Sequence, residues 1–153
     1  MTSTTIRKAV IDDLDTLYEF EQGIIAAERP FDPTLRTEKI NYYDLKALVE
    51  SEDTEVLVAV VDNEIAGSGY VQIRKAKPYL KHEHYGYIGF MFVKAEFRGK
   101  GIAQLISNSL TSWAKSNGLH EIRLDVYNDN HSAVRAYEKA GFKKHMIEMR
   151  MTI

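Results

Sequence analysis

Residues 87–103 read YIGFMFVKAEFRGKGIA, and this stretch decides the fold that the sequence predicts. Its first part, residues 87–93, is aromatic and apolar and predicts a buried strand. Its second part places Gly99 and Gly101 directly before a segment with helical spacing. A helix N-terminus leaves backbone N–H groups unpaired and carries partial positive charge, and glycines let an anion approach those groups closely. The junction therefore predicts a site for a phosphate or a pyrophosphate.

On the C-terminal side of this junction, the pattern predicts two helices and two strands. Apolar residues follow helical spacing from Ile102 to Ala114, and Gly118 can end that helix. Residues 121–127 predict a strand, and residues 131–140 predict a short helix that Asn130 can cap. Residues 142–153 alternate between apolar and polar and predict a final strand.

On the N-terminal side, the pattern predicts a strand, two helices and a hairpin. Residues 4–10 read as a strand, and helices are predicted from residue 12 to residue 25 and over residues 34–50. Residues 56–61 and 65–74 flank a short polar turn and predict paired strands. The order β-α-α-β-β-β-α-β-α-β predicts one α/β (α+β) domain over residues 1–153, with helices on the faces of a mixed sheet.

The composition excludes several classes of protein and of site. The net charge is −2 over 153 residues, which does not favour a nucleic-acid or membrane-surface partner. The absence of cysteine excludes disulfides, thiolate zinc sites and cysteine nucleophiles. Residues 1–5 contain no apolar segment of a secretory signal, and no apolar run approaches the length of a membrane span. We therefore expect a cytoplasmic protein.

A second motif lies downstream, where residues 130–142 read NHSAVRAYEKAGF. Ala133 and Tyr137 are four residues apart and share one helix face, so a ligand can lie close to the helix and meet a hydroxyl group. Residues 98–103 resemble the [QR]-x-x-G-x-[GA] pyrophosphate loop of the GNAT superfamily of N-acetyltransferases. Residues 130–142 resemble the same family's downstream N-x-x-A-x-x-x-Y-E-K-x-G-F segment, and the helix and strand between the two motifs also match.

The resemblance implies a single-domain GNAT fold, with a mixed, mostly antiparallel sheet and a splayed central strand pair. It implies acetyl-CoA as co-substrate and transfer of the acetyl group to a primary amine of a small molecule or peptide by direct attack. It also implies that Tyr137 lies beside the thioester sulfur and protonates the leaving thiolate. The residues that it assigns to the cofactor are Phe92, Val93, Arg98, Gly99, Lys100, Gly101, Ile102, Ala103, Asn130, Ala133 and Tyr137.

The sequence contains several candidates for the group that accepts the proton from the amine. Many family members have a glutamate in the fourth strand, where this sequence has Gly89. Glu83 and Glu28 are our first candidates for this catalytic base. His84, Asp32, Asp125 and a water chain also stay open. No metal site is expected, because the histidines that flank Glu83 have no third ligand in view.

Two other readings remain open at this stage. Gly89 in place of a glutamate favours a non-catalytic module that binds or senses acyl-CoA, and an interaction protein that binds no cofactor is a third reading. Pairing of β-strands between two copies would give a homodimer, although the sequence offers no specific interface residues.

Overall fold

The computed structural model describes residues 3–153 and shows one mixed five-stranded sheet. Residues 1 and 2 lie outside the described part. They belong to the predicted domain and to the segment in which the sequence shows no secretory signal. The strands pair in chain order, antiparallel from β1 to β4 and parallel between β4 and β5. They are β1 (Thr4–Lys8), β2 (Thr54–Val61), β3 (Glu64–Lys75), β4 (His84–Val93) and β5 (Ile122–Arg123).

The β2–β3 hairpin forms where the sequence predicts it. Its loop consists of Asp62 and Asn63, with φ angles of 49° and 64°. Two consecutive residues with positive φ match the twist of the flanking strands, and Asp and Asn adopt this conformation more readily than most residues. The hairpin supplies the centre of the sheet, with Val58 and Val71 fully buried on its two faces.

Helices cover both faces of the sheet, as predicted. Helices α1 (Leu14–Glu28) and α2 (Leu45–Glu50) pack on one face, around a core that includes Leu17, Leu45 and Phe90. Helix α3 (Ile102–Ser116) packs on the other face, and α4 (His131–Lys139) follows β5. No helix in the described part is both long enough and apolar enough to cross a membrane.

The predicted helix over residues 34–50 is wrong in its first two thirds, because only Leu45–Glu50 is helical. The preceding loop is bonded to α1 instead. Glu21, which is fully buried, accepts hydrogen bonds through Oε2 from the backbone N–H groups of Tyr42 and Tyr43, at 2.9 and 2.8 Å. Asp44 then caps α2 by accepting from the N–H of Ala47. A buried carboxylate contributed by a distant residue thus competes with helix formation in this loop.

Two strand predictions also need correction. The predicted strand over residues 121–127 is reduced to Ile122–Arg123. The predicted final strand over residues 142–153 has no regular secondary structure. Within the described part of the chain, residues 143–153 form no backbone–backbone hydrogen bond. An alternating pattern specifies the faces of a strand, but the strand itself also needs a partner edge.

Strands β4 and β5 diverge and leave a gap in the sheet. They pair only at Gly86–Ile122 and Tyr87–Arg123. Beyond that point the β3–β4 register shifts, and Phe90 has a φ of 58°, which marks a bulge in β4. A bulge bends its strand and increases the local twist, so the end of β4 turns away from the chain that follows β5. The splayed strand pair is therefore confirmed.

Candidate active site

A cleft of about 240 Å³ lies between the end of β4 and the chain that follows β5. Helices α1 and α4 contribute to its walls. The structure brings together most of the residues that the sequence predicts for the site. Those that line the cleft are Glu28, Phe92, Val93, Arg98, Asn130, Ala133 and Tyr137.

The glycine loop opens the N-terminus of α3 to solvent. Gly99 and Gly101 have φ angles of 76° and 79°, a conformation that favours glycine, and a Cβ on either would meet no heavy atom within 4 Å. Gly101 is the N-cap of α3, and no side chain caps this helix end in the described part. The first N–H groups of α3 therefore remain available to an anion. Unpaired amides and the positive end of the helix dipole fit a diphosphate.

The end of β4 offers a free backbone edge to the cleft. Past Tyr87, no strand among residues 3–153 pairs with β4 on the side of β5. Arg98 bridges this edge and the glycine loop, because its Nε donates to the carbonyl oxygen of Val93 at 2.9 Å. A free strand edge can pair with an extended ligand as it would with another strand. Phe92 and Val93 thus lie where the pantetheine arm was expected to bind.

A close helix–strand contact fixes the side chain of Phe92. Its ring packs against Phe20 of α1, with the ring centroids 4.8 Å apart. A Cβ on Gly23 would lie only 2.6 Å from Cε2 of Phe92, so α1 can approach β4 this closely because residue 23 is glycine. Gly23 is not among the residues that the sequence predicts for the site, although an isolated glycine inside a helical pattern is the signal of such a contact.

Helix α4 presents Asn130, Ala133 and Tyr137 to the cleft. The side-chain oxygen of Asn130 accepts from the N–H of Ala133 and from the hydroxyl of Ser132. The amide nitrogen of Asn130 can therefore serve a ligand while its oxygen caps the helix. The ring of Tyr137 packs edge-on against Phe142, with centroids 5.8 Å apart. Burial, and after it the charge of Glu28, raises the pKa of Tyr137, so its hydroxyl is a protonated donor at neutral pH.

Glu28 ends α1 with a carboxylate at the cleft. Burial raises the pKa of Glu28 above its ordinary value, and the nearby hydroxyl of Tyr42 opposes that shift. The same charge contributes to the raised pKa values of Tyr42 and Tyr127, to which burial contributes most. A carboxylate whose pKa is raised toward neutrality is a better proton acceptor than an ordinary one. Of the two first candidates for the base, Glu28 is the one that reaches the cleft.

The comparison with known proteins agrees with this geometry. Residues 14–142 match the model of the Acetyltransferase (GNAT) family. The chain belongs to this family. It is similar to the uncharacterised N-acetyltransferase YobR of Bacillus subtilis, with 41% identity over 58 residues, 38% of this chain and 24% of that protein. Matches of this kind span between 24% and 61% of the length of the curated relatives.

Solved structures confirm the GNAT fold. A mutant BH1408 protein from Bacillus halodurans superposes with a TM-score of 0.88 and 22% identity, over 97% of this chain and 99% of that one. A predicted acetyltransferase from Clostridium acetobutylicum, solved with acetyl-CoA, superposes with a TM-score of 0.79 and 21% identity, over 98% and 96% of the two chains. At this level of identity the superpositions establish the fold.

The structure gives a steric reason why residue 89 is a glycine and not the glutamate that many GNAT proteins have in this strand. A Cβ at this position would lie 2.6 Å from the hydroxyl oxygen of Tyr70 on the neighbouring strand β3. The Tyr70 side chain is 3% exposed and also contacts the ring of Tyr43 edge-on, with centroids 5.7 Å apart. Tyr70 thus occupies the space that any side chain at position 89 would need. The sequence shows the glycine, but only the fold shows that the ring of Tyr70 occupies the space beside it.

The other candidate bases lie in different surroundings. Glu83 is exposed and precedes β4, about 30 Å along the strand from Phe92 at roughly 3.3 Å per residue, so the structure does not bring it to the cleft. Asp125 lines the cleft and accepts a hydrogen bond from the hydroxyl of Tyr87 at 2.9 Å. Asp32 is paired with Arg150 at 3.1 Å and also accepts from Thr34 and Tyr127, so its oxygens are already occupied.

Proposed function

We propose that this chain is an enzyme that transfers the acetyl group of acetyl-CoA to a primary amine by direct attack. One observation carries the proposal. The cleft that holds Tyr137 and Glu28 also includes Arg98, which directly precedes the glycine loop and the open N-terminus of α3. An anion site, a proton donor and a proton acceptor on one connected surface are the groups that acyl transfer from a thioester to an amine requires.

The chain's own residues would bind the co-substrate along its length. The backbone N–H groups of residues 98–103 would hold the pyrophosphate. The free edge of β4 at Phe92 and Val93 would pair with the pantetheine arm, and the Asn130 amide would donate to the same arm. Ala133 would leave room for it beside α4. This arrangement would bring the thioester sulfur close to Tyr137.

Glu28 and Tyr137 would then manage the protons of the reaction. An alkylamine has a reference pKa of about 10.4 and arrives protonated, so a base must first remove one proton. Glu28 would accept it, directly or through a water molecule. The free amine attacks the carbonyl carbon, a C–N bond forms and the C–S bond breaks. Tyr137 would donate a proton to the departing thiolate and regain one from the nitrogen as the amide forms.

The acidic groups at the cleft favour a cationic acceptor. Glu28 and Asp125 both line it, and neither forms a salt bridge with a basic side chain in the described part. Carboxylates that face a cleft attract a protonated amine before it reacts. The acceptor class that we propose is a small-molecule or peptide amine. The cytoplasmic location of the protein stays a prediction from the sequence.

Release of free thiol from acetyl-CoA across a panel of amines tests the proposal. We expect turnover with at least one amine, and we expect Tyr137→Phe to lower kcat by roughly 10²- to 10⁴-fold. Tyr79→Phe is the matched control, because Tyr79 is 77% exposed and lies outside the cleft. Thermal-shift titration with coenzyme A should show that all three proteins still bind it.

The same measurements distinguish the enzyme from its main alternative. Tight binding of coenzyme A without turnover of any amine would favour the non-catalytic acyl-CoA-binding module, which Gly89 first suggested. The position of Tyr70 weakens that alternative. Its side chain leaves no room for a side chain at position 89, and this accounts for the absence of a glutamate there. A flat response to coenzyme A up to millimolar concentration would contradict both readings.

A further inference from the structure

Asp32 is a buried carboxylate to which the proposed reaction gives no role. It lies just after α1 and is 9% exposed. Its side chain accepts hydrogen bonds from Thr34, Tyr127 and Arg150, and the last two lie 95 and 118 positions away in the sequence. The bonds from Thr34, and after them the bond from Arg150, hold the pKa of Asp32 well below its ordinary value. A carboxylate with a lowered pKa is a weak proton acceptor, so this arrangement does not serve a base.

The hydrogen bond between Tyr127 and Asp32 joins two walls of the cleft. Ala27 and Glu28 of α1 line one wall, and Asp125 and Tyr127 of the chain after β5 line the other. The hydroxyl of Tyr127 donates to Oδ2 of Asp32 at 3.2 Å, and Asp32 follows Glu28 by four residues. The separation of the two walls, and with it the room beside the Glu28 carboxylate, therefore depends on this bond.

A ring contact lies beside the hydrogen bond. Phe31, which directly precedes Asp32, stacks on Tyr127 with the ring centroids 6.1 Å apart and the ring planes at 22°. The backbone of Tyr127 is held separately, because its carbonyl oxygen accepts from the N–H of Asn130 at 3.0 Å. Loss of the hydroxyl alone should therefore release Tyr127 from Asp32 and leave both the ring contact and the turn before Asn130 in place.

The loop that carries Asp32 is fixed by bonds of its own. The guanidinium group of Arg29 donates to the backbone carbonyl oxygens of Arg36 and Glu38, at 2.6 and 3.1 Å. The backbone N–H of Thr34 donates to Oδ1 of Asp32 at 3.0 Å. Supporting hydrogen bonds of this kind hold a side chain in one orientation. The carboxylate is therefore a fixed point to which the opposite wall is attached.

Arg150 supplies the positive charge that this carboxylate needs. Its Nη2 donates to Oδ1 of Asp32 and its Nη1 to the hydroxyl of Thr34, each at 3.1 Å. A buried carboxylate is stable only when it is paired and hydrogen-bonded. Arg150 and Thr34 both bind Oδ1, and Tyr127 binds Oδ2. Arg150 thus holds the carboxylate in the orientation that directs Oδ2 to the Tyr127 hydroxyl.

We propose that Asp32 is a positioning residue that selects the amine acceptor by its width. Through its bonds to Tyr127 and Arg150, Asp32 sets the separation of the two walls beside Glu28. The inference rests on the proposed acetyl transfer, because the acceptor is the amine of that reaction. A wall that is held in place excludes a wide substituent by steric clash and admits a linear chain.

Steady-state kinetics with a linear and a cyclic amine test the inference. n-Hexylamine and cyclohexylamine have the same charge and number of carbons, but the ring makes the second amine wider. We expect Tyr127→Phe to reduce the preference in kcat/KM for n-hexylamine by roughly three- to tenfold, the range that loss of one hydrogen bond produces. KM for acetyl-CoA should stay unchanged. Tyr79→Phe, at a residue that is 77% exposed, is the control and should preserve the preference.

A second pair of variants tests the role of Arg150. Arg150→Gln should reduce the preference for n-hexylamine as Tyr127→Phe does. Arg36→Gln is the matched control, because Arg36 lies in the same loop as Asp32, its side chain is 81% exposed and its salt bridge is to the neighbouring Glu38. We expect Arg36→Gln to preserve the preference. An equal effect of the two arginine variants would contradict the role of Arg150.

The Asp32→Ala background tests whether both residues act through this carboxylate. In that background Tyr127→Phe and Arg150→Gln should cause no further loss of preference, because their shared partner is absent. Additive losses would overturn the inference. An equal fall of kcat with both amines, at unchanged preference, would also overturn it, since a merely structural role predicts that result.

Failure of the inference and failure of the proposed function give different results. If the unaltered chain acetylates amines and Tyr127→Phe keeps its preference, the inference is wrong and acetyl transfer stands. Turnover of cyclohexylamine as fast as n-hexylamine by the unaltered chain would contradict the inference in the same way. If the unaltered chain acetylates no amine, the proposed function is wrong, and the inference that rests on it is wrong as well.

Discussion

Glu28 of α1 and Tyr137 of α4 line the same cleft, and the charge of the Glu28 carboxylate adds to burial in raising the pKa of the Tyr137 phenol. The two residues are more than a hundred positions apart in the sequence. The charge of Glu28 acts on Tyr137 only because the fold brings the two residues to one cleft. A neutral phenol and a carboxylate of raised pKa form a complementary donor and acceptor pair.

The first prediction concerns the pH dependence of the reaction. Burial raises the pKa of Glu28, and a base must be ionised to accept a proton. We therefore expect kcat/KM to fall as the pH drops through a value above the ordinary pKa of a glutamate. Glu28→Gln should remove this limb of the profile and lower kcat/KM by roughly 10²- to 10⁴-fold.

Two further measurements identify the source of that limb. Ionisation of the amine also makes the rate depend on pH, so the profile is recorded with two amines of different pKa. The limb that belongs to Glu28 should stay at the same pH with both amines. Glu83→Gln should leave it in place. If Glu83→Gln abolishes the limb and Glu28→Gln preserves it, the assignment of the base is reversed.

The second prediction separates two roles of Asn130. Asn130→Ala removes the oxygen that caps α4 and should destabilise the protein by about 0.5–2 kcal/mol. Asn130→Asp keeps a capping oxygen but loses the amide donor, so its stability should stay close to that of the original protein. Both variants should raise KM for acetyl-CoA. Urea denaturation and initial rates measure the two effects, and an unchanged KM in Asn130→Asp would exclude the amide from cofactor binding.

The third prediction tests the contact between Gly23 and Phe92. Alanine is favoured over glycine inside a helix by roughly 0.5–1 kcal/mol, which alone would stabilise Gly23→Ala. The new methyl group would lie 2.6 Å from Cε2 of Phe92, so the ring and the edge of β4 must shift. We expect a net loss of about 1–2 kcal/mol and a higher KM for acetyl-CoA. The loss should disappear in a Phe92→Leu background, and a stabilised single variant would contradict the contact.

The fourth prediction tests why residue 89 is glycine. Gly89→Ala directs its methyl group into the ring and hydroxyl of Tyr70 and should destabilise the protein by about 1–3 kcal/mol. Tyr70→Ala removes the obstacle and leaves a cavity of its own. A double-mutant cycle should therefore give a favourable coupling between the two changes. Additive losses would show that the glycine has another reason, such as the adjacent bulge at Phe90.

The local features of the site could be predicted from the sequence. Gly99 and Gly101 occupy left-handed positions before α3, and Asn130 caps α4, as the motifs indicate. These features depend on the conformational range of one residue or on hydrogen bonds that span a few residues. The β2–β3 hairpin, the amphipathic α3 and the order of elements are of the same kind. The resemblance then added the splayed strands and the family, which the fold and the comparison confirm.

Other features depend on contacts between distant residues, and the tertiary structure alone decided them. Glu21 of α1 binds the loop before α2, so residues 34–44 are not helical despite their spacing. The position of Tyr70 explains Gly89, and the end of α1 brings Glu28, but not Glu83, to the cleft. Residues 142–153 have the alternation of a strand but pair with no edge of the sheet in the described part of the chain. Periodicity and capping act within one turn or one strand, whereas burial, pKa values and strand pairing depend on which distant groups the fold brings together.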